Sequence, residues 1–300
     1  MTLIKTDTKN KYIEFLKNKF GVEVFNEMIH DENKLCLKEE ISYRTIDTKE
    51  TINKYSKEIC DLLSKGDYSS KDWAFDFPGW IGSLDFNLEN VREIMVVGME
   101  PHIDDRSYQT TYGLRKTTNG FEEIKDGNNK NMWKNLYAVF NEQKLANDDE
   151  CYKEEFLSKI YITDLSHFAL KGAANQMKKY PDWIKIRKAV ATEFLTKEIE
   201  FIKPKFIVSQ GNEVARSLEN SIFNKDRDWE RLDIFDDFKE KQSWYKSTPV
   251  LQKFKKGDLE VIHVKLPHLA SGYTQRVWKL LDGNENENFR KELNNKIYNF

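Results

Sequence analysis

The chain has 300 residues and a formal net charge of -2 with 33% charged residues, so an anionic partner must be met by a local basic patch and not by global attraction. Its three cysteines, Cys36, Cys60 and Cys151, are odd in number, far apart and without CxxC spacing, which argues against a zinc site, an iron–sulfur cluster or a disulfide framework and makes a reducing setting the default. The start, Met1 to Asp7, has no apolar core long enough for a signal peptide, and no segment approaches membrane-spanning length; a soluble, cytoplasmic monomer without a membrane partner is expected.

In chain order, residues 1–90 read as a helical N-terminal extension. Tyr12, Phe15, Leu16 and Phe20 recur at helical spacing, and Ile52, Tyr55, Ile59, Leu62 and Leu63 repeat the pattern before Gly66. The aromatic stretch "DWAFDFPGWIGSLDF" then breaks at Pro78-Gly79 and is expected to pack on the following core. From residue 91 the texture changes to short apolar runs: "EIMVVG" (93–98), "KIYITD" (159–164), "KFIVSQG" (205–211) and "LEVIHVKLP" (259–267). Between them "NMWKNLYAVFNEQ", "PDWIKIRKAVATEFLTKEIEFI" and "NEVARSLENSIF" have helical texture. Four strands spaced by helices predict an α/β fold, with a four-stranded, mainly parallel sheet flanked by helices over residues 91–280. The polar stretches "GFEEIKDGNNKN" and "FNKDRDWERLDIFDDFKEKQSWYKSTP" read as insertions or linkers, and residues 281–300 as a loop followed by a surface helix.

Ligands of parallel sheets bind beyond the carboxyl ends of the strands. Those ends carry Glu100 and His102 after the first strand, Asp164 and His167 at the second, and His268 after the last. A carboxylate that orients water or stabilises a cationic centre, together with an imidazole that hydrogen-bonds a departing anion, suits hydrolysis of a bond to a poor leaving group. A lone strand-end acid, by contrast, is commonly a cap for the next helix.

The segments "EIMVVGMEP", "KIYITDLSHFAL", "EIEFIKPKFIVSQGNEVARSL" and "VKLPHLASGYTQRVW" resemble, in order, four elements of the uracil-DNA glycosylase superfamily. The first is similar to its glycine–x–acid/amide–proline turn, the second to its strand ending in a base-reading asparagine. The third resembles its Pro-Lys, apolar strand, Gly, Ala, Leu element (Pro204, Lys205, Phe206 to Val208, Gly211, Ala215, Leu218), and the fourth its closing loop. The texture is closest to the mismatch-directed and single-strand-selective branches.

The resemblance implies monofunctional hydrolysis of a base–sugar bond in DNA, with the nucleotide flipped into a pocket and with no metal or other cofactor. Gly98 and Met99 would line the base site. Glu100 stands at the water-handling position, one methylene longer than the family's aspartate. His268 matches the closing-loop histidine and would donate to the base O2 as charge accumulates there. His102 stands where relatives face the pyrimidine C5 side, to gate it or to contact phosphate, and Tyr112 lies near the base-stacking aromatic.

Asp164 replaces the family's base-reading asparagine. An ionised carboxylate offers acceptors only and repels uracil O4. A protonated Asp164 would donate to a cytosine N3 and accept from its N4 amino group, which makes a modified cytosine a competitor to uracil. Alternatively Asp164 is displaced and Ser166 or His167 reads the base.

The loop "HLASGYTQR" resembles the family's wedge loop, with Ser271, Gly272, Tyr273 and Arg276 on DNA and the wedge open between Leu269 and Tyr273. Phosphate contacts are expected from Lys171, Lys178 and Lys179, and from Lys185, Arg187 and Lys188 next to them, although a solvated helix face explains some of these equally well. Ser209 to Asn212 would add backbone N–H donors at a helix start. Base-excision repair and defence against modified phage DNA both fit. A hydrolase of a nucleotide or small N-glycoside, and a non-catalytic nucleic-acid-binding module, are the competing readings.

Overall fold

The computed structural model describes residues 10, 11, 13–15, 17, 18, 22, 26, 29–31, 36, 37, 73–75, 80, 81, 93–98, 102, 103, 130–141, 156, 159–165, 168–171, 183–235, 251–266 and 288–299. In chain order the elements are β1 (Ile29–Asp31), β2 (Cys36–Leu37), β3 (Trp73–Phe75), β4 (Trp80–Ile81), β5 (Ile94–Gly98), β6 (His102–Ile103), α1 (Lys130–Phe140), β7 (Ile160–Asp164), β8 (Phe168–Lys171), α2 (Trp183–Ile202), β9 (Phe206–Gln210), α3 (Asn212–Leu218) with a π-helical turn (Glu219–Phe223), β10 (Glu230–Phe235), β11 (Leu251–Lys256), β12 (Leu259–Leu266) and α4 (Asn288–Asn299). No helix among the described residues is long and apolar enough to cross a membrane.

The chain divides into two compact units. One comprises Met1–Val91, Met99–Gly120 and Thr163–Lys203, the other Arg92–Gly98, Phe121–Ile162 and Pro204–Phe300.

In the first unit β1 and β2 pair antiparallel. A three-stranded sheet has the order β3-β8-β6, with β3 antiparallel and β6 parallel to β8. The 20-residue α2 buries Ile186, Val190, Leu195 and Ile199, and Phe194 meets the Phe15 ring edge-on at 5.4 Å. Phe15 belongs to the first helical stripe, and its residues 10, 11, 13–15, 17 and 18 are helical where described. The second stripe, Ile52 to Leu63, lies outside the described residues.

The second unit contributes five strands of a mixed sheet and the first three residues of a sixth, β7, in the order β10-β11-β12-β9-β5-β7. β12, β9 and β5 run parallel, with Ile262, Phe206 and Ile94 in register. The Ile94 N–H donates to the Lys159 carbonyl at 2.9 Å, so β5 and β7 begin side by side. These four are the strands expected from sequence. The sheet nevertheless exceeds the expected four-stranded, mainly parallel one, because β11 and β10 extend it antiparallel beyond β12. The stretch read as an insertion therefore contains a strand, β10. The two-residue Gly257-Asp258 turn joins β11 to β12, and Gly257 adopts a left-handed φ of 56°, which such turns require.

Both faces of this sheet are covered, which is why its parallel strands read as unbroken apolar runs. On one face Phe223 of the π turn stacks on Phe254 of β11 with centroids 4.0 Å apart, and meets Trp229 edge-on at 5.2 Å. On the other, Phe206 of β9 lies between Phe140 of α1 and Tyr298 of α4 at 5.2 and 5.7 Å. Helix α4 is held against α1 by two hydrogen bonds: the Asn294 amide donates to the Val139 carbonyl at 2.8 Å, and the Tyr298 hydroxyl to the Phe140 carbonyl at 2.9 Å. The expected C-terminal helix buries Leu293 and Ile297 and leaves Asn295, Lys296 and Asn299 exposed.

Candidate functional site

Strand ranks along β12-β9-β5-β7 run fourth, third, first, second, so the winding direction reverses between β5 and β9. Open α/β sheets bind ligands outside the carboxyl ends of their strands at such a reversal. The described groups at that edge of the second unit are Gly98, Gln210, Gly211, Asn212 and Leu266.

Gly98 closes β5 and is half-buried. β9 ends at Gln210, which is 8% exposed, and the chain turns into α3 through Gly211. Gly211 has φ 94° and ψ 165°, a region open essentially to glycine alone. Its N–H donates to the Leu266 carbonyl at 2.7 Å, which ties the ends of β9 and β12 together. No side chain caps α3 at Gly211. Asn212 Oδ1 is buried without a hydrogen-bond partner. This is the helix start that the sequence suggested as a backbone donor set.

Just behind that edge, the face under Phe223 carries polar side chains of which sequence reasoning had named only Ser209, and that for its backbone. Ser209, Gln252, His263 and Lys265 are each 0% exposed. His263 Nε2 lies 2.9 Å from Ser209 Oγ. Burial pushes the His263 imidazole down to about 3, with the Lys265 charge adding to the effect, so the ring is neutral. Their signal was present in "VIHVKL": His263 and Lys265 alternate within an apolar run, the period of a strand face.

No family model and no curated protein matches the chain. The reading of the site rests on its own residues.

In the first unit, Asp164 ends β7 and is half-buried. Its neighbour Thr163 is 1% exposed and donates through Oγ1 to Glu198 Oε2 at 2.9 Å. This buried bond joins two residues of the first unit, and Glu198 is a further residue that periodicity alone did not single out. His102 and Lys171 stand in neighbouring register positions of β6 and β8, where His102 pairs with Leu170 and Ile103 with Lys171. Lys185 and Lys188 are exposed on α2, as a phosphate-contacting face requires. Arg187 is not on that face: it is 1% exposed, because it falls on the same side of the helix as the apolar Val190 and Phe194. Met99, Glu100, Tyr112, Lys178, Lys179, His268, Ser271, Gly272, Tyr273 and Arg276 lie outside the described residues.

Proposed function

We propose that the protein is a monofunctional DNA glycosylase acting on a flipped uracil-type or modified cytosine base. One observation carries the reading furthest: the segments that resemble the uracil-DNA glycosylase superfamily include β5, β7, β9 and β12, neighbours in the sheet with a winding reversal between β5 and β9. Glu100, His102 and His268 follow β5 and β12 within a few residues, and Asp164 closes β7.

In this reading water adds to the sugar C1′ as the glycosidic bond breaks. The bonding pair leaves with the base, which then takes up a proton. Glu100 orients the water and stabilises the cationic sugar. His268, as a neutral imidazole, donates to the base O2 as its charge grows. Asp164 reads the base edge, and Gly98, Met99, His102 and Tyr112 are the other residues assigned to the base. The wedge loop 271–276 fills the space left by the flipped nucleotide, while Lys171, Lys178, Lys179 and the donors at the start of α3 hold phosphates.

The test is a panel of duplex and single-stranded DNA carrying uracil, G·U and G·T mismatches, 5-hydroxymethylcytosine or glucosylated cytosine, with abasic sites revealed by alkali. Cleavage confined to one base class supports the reading and names the substrate. No cleavage across the panel rejects it. Uracil-only cleavage rejects the cytosine-edge argument, and Asp164→Asn is then expected to raise activity.

A further inference from the structure

Phe223 closes the π-helical turn and sits in a slot shaped for a flat ring. It lies on Phe254 with centroids 4.0 Å apart and planes 6° from parallel. Trp229 stands across it at 5.2 Å and 88°, and the His263 centroid is 5.8 Å away. Gln252 shares this face, two residues before Phe254 on β11 and in register with His263 of β12.

The surroundings of the ring are polar where the ring is not. Among the described residues, Gln252 Nε2, Gln252 Oε1, His263 Nδ1 and Trp229 Nε1 are buried without a hydrogen-bond partner. Gln252 and His263 are 0% exposed and Trp229 is 7% exposed. Buried polar groups in folded proteins are nearly always paired, so a cluster of orphans on one face demands an explanation. The Phe223 ring has no edge donor or acceptor to give them. A flat heterocycle in its place has both. The Gln252 amide sets a carbonyl beside N–H donors, the Trp229 indole has one N–H, and the His263 ring, engaged at Nε2 by Ser209 Oγ at 2.9 Å, has Nδ1 to offer.

The element that carries Phe223 points the same way, since π turns are rare and recur at functional sites. This one is closed by the Asn224 N–H donating to the Glu219 carbonyl at 2.7 Å. Arg231 of β10 ties it down, 3.1 Å from Asn224 Oδ1 and 3.7 Å from the Glu219 carboxylate, and exposed ties of this kind hold little energy.

We propose that the Phe223 slot is a binding site for a flat nitrogen heterocycle with a lactam edge, a carbonyl beside a ring N–H. The ligand displaces Phe223, stacks on Phe254 and pairs its lactam edge with the Gln252 amide; Phe223 is its internal stand-in. Because ligand and Phe223 compete, removing the ring tightens binding. The site belongs to the face of the second unit behind the strand-end crevice, and it stands whether or not the protein releases bases.

The test is nitrogen NMR on the full-length protein with labelled histidine and tryptophan, the two signals being assigned by their loss in His263→Gln and Trp229→Phe. 2-Pyridone, a small flat lactam, is titrated in, with benzene as the apolar control. The expected result is a saturable shift of His263 Nδ1 and Trp229 Nε1 with 2-pyridone and none with benzene. Gln252→Leu should weaken 2-pyridone binding by about tenfold, the usual worth of one buried hydrogen bond, and Phe223→Ala should tighten it by at least about tenfold. Should Phe223→Ala not fold, the unaltered protein and Gln252→Leu decide. No saturable shift in the unaltered protein, benzene bound as tightly as 2-pyridone, or undiminished binding in Gln252→Leu overturns the proposal. Because no readout involves base release, a failure here is distinct from a failure of the proposed activity.

Discussion

Acidification from about pH 7.5 to about pH 4.5 should destabilise this fold through His263, and the size of the effect follows from its burial. The ring is 0% exposed, and its pKa falls from 6.5 to about 3, chiefly by burial and further by the Lys265 charge. Between those values the unfolded chain holds a proton on this residue that the folded protein does not. The stabilisation is therefore complete above the unfolded value, is lost as pH falls below it, and is exhausted once pH passes the folded value. A shift of this size corresponds to about 5 kcal/mol at the acid limit. At about pH 4.5 the unfolded residue is almost wholly protonated and the folded one almost wholly neutral, so about 3 kcal/mol is lost. Other groups titrate over the same range, so the comparison must be with His263→Gln, which keeps a polar group near Ser209 and removes the titration. Urea unfolding at both pH values should show the unaltered protein losing about 3 kcal/mol more than the variant. Equal losses in the two proteins would refute the reasoning.

Further outcomes follow from the packing and the site. Gly211→Ala meets no atom within 4 Å of the new Cβ, yet it should cost about 1–3 kcal/mol, because an L-residue is strained at φ 94°; urea midpoints measure this. Phe223→Ala removes the ring that stacks on Phe254 and meets Trp229. It should lower stability by about 3–5 kcal/mol, with the fluorescence of the unfolding transition as readout. Thr163→Val strips a donor from the buried Glu198 carboxylate and should cost about 1–3 kcal/mol; in the same assay Glu198→Gln should restore part of that loss in the double variant. If the panel yields a substrate, His268→Ala should slow single-turnover base release by about 10²–10³-fold, the usual cost of losing one donor to a developing anion, with little change in DNA affinity.

The strands β5, β7, β9 and β12 and their intervening helices were legible because strands covered on both faces leave unbroken apolar runs such as Ile94–Val97 and Phe206–Val208. The antiparallel extension was harder to see. In β11 the alternation is interrupted at Leu251-Gln252, where both residues are buried, and Gln252 looks like a surface letter although it is 0% exposed. β10 carries Arg231, Leu232 and Asp233 exposed in succession, so no single-face pattern marked it. Of the candidate site, the strands that precede Glu100, His102 and His268, and the one that Asp164 closes, were legible. Its supporting layer was not, since Ser209 lies 54 residues before His263 in sequence and comes beside the β12 residues only through the β9–β12 register. Arg187 misled for a related reason: a basic residue between Lys185 and Lys188 suggests one solvated face, but helical geometry turns it inward.

The central claim is that the carboxyl edge of this sheet hydrolyses a base–sugar bond, and release of the free base tests it most directly. The protein is incubated in excess over the panel oligonucleotides, and the soluble fraction is analysed by mass spectrometry for free uracil or modified cytosine. The account predicts one free base, an intact sugar–phosphate strand until alkali is added, and loss of at least about 10²-fold in rate for Glu100→Gln. Absence of free base from every substrate, or an undiminished rate in Glu100→Gln, would contradict it.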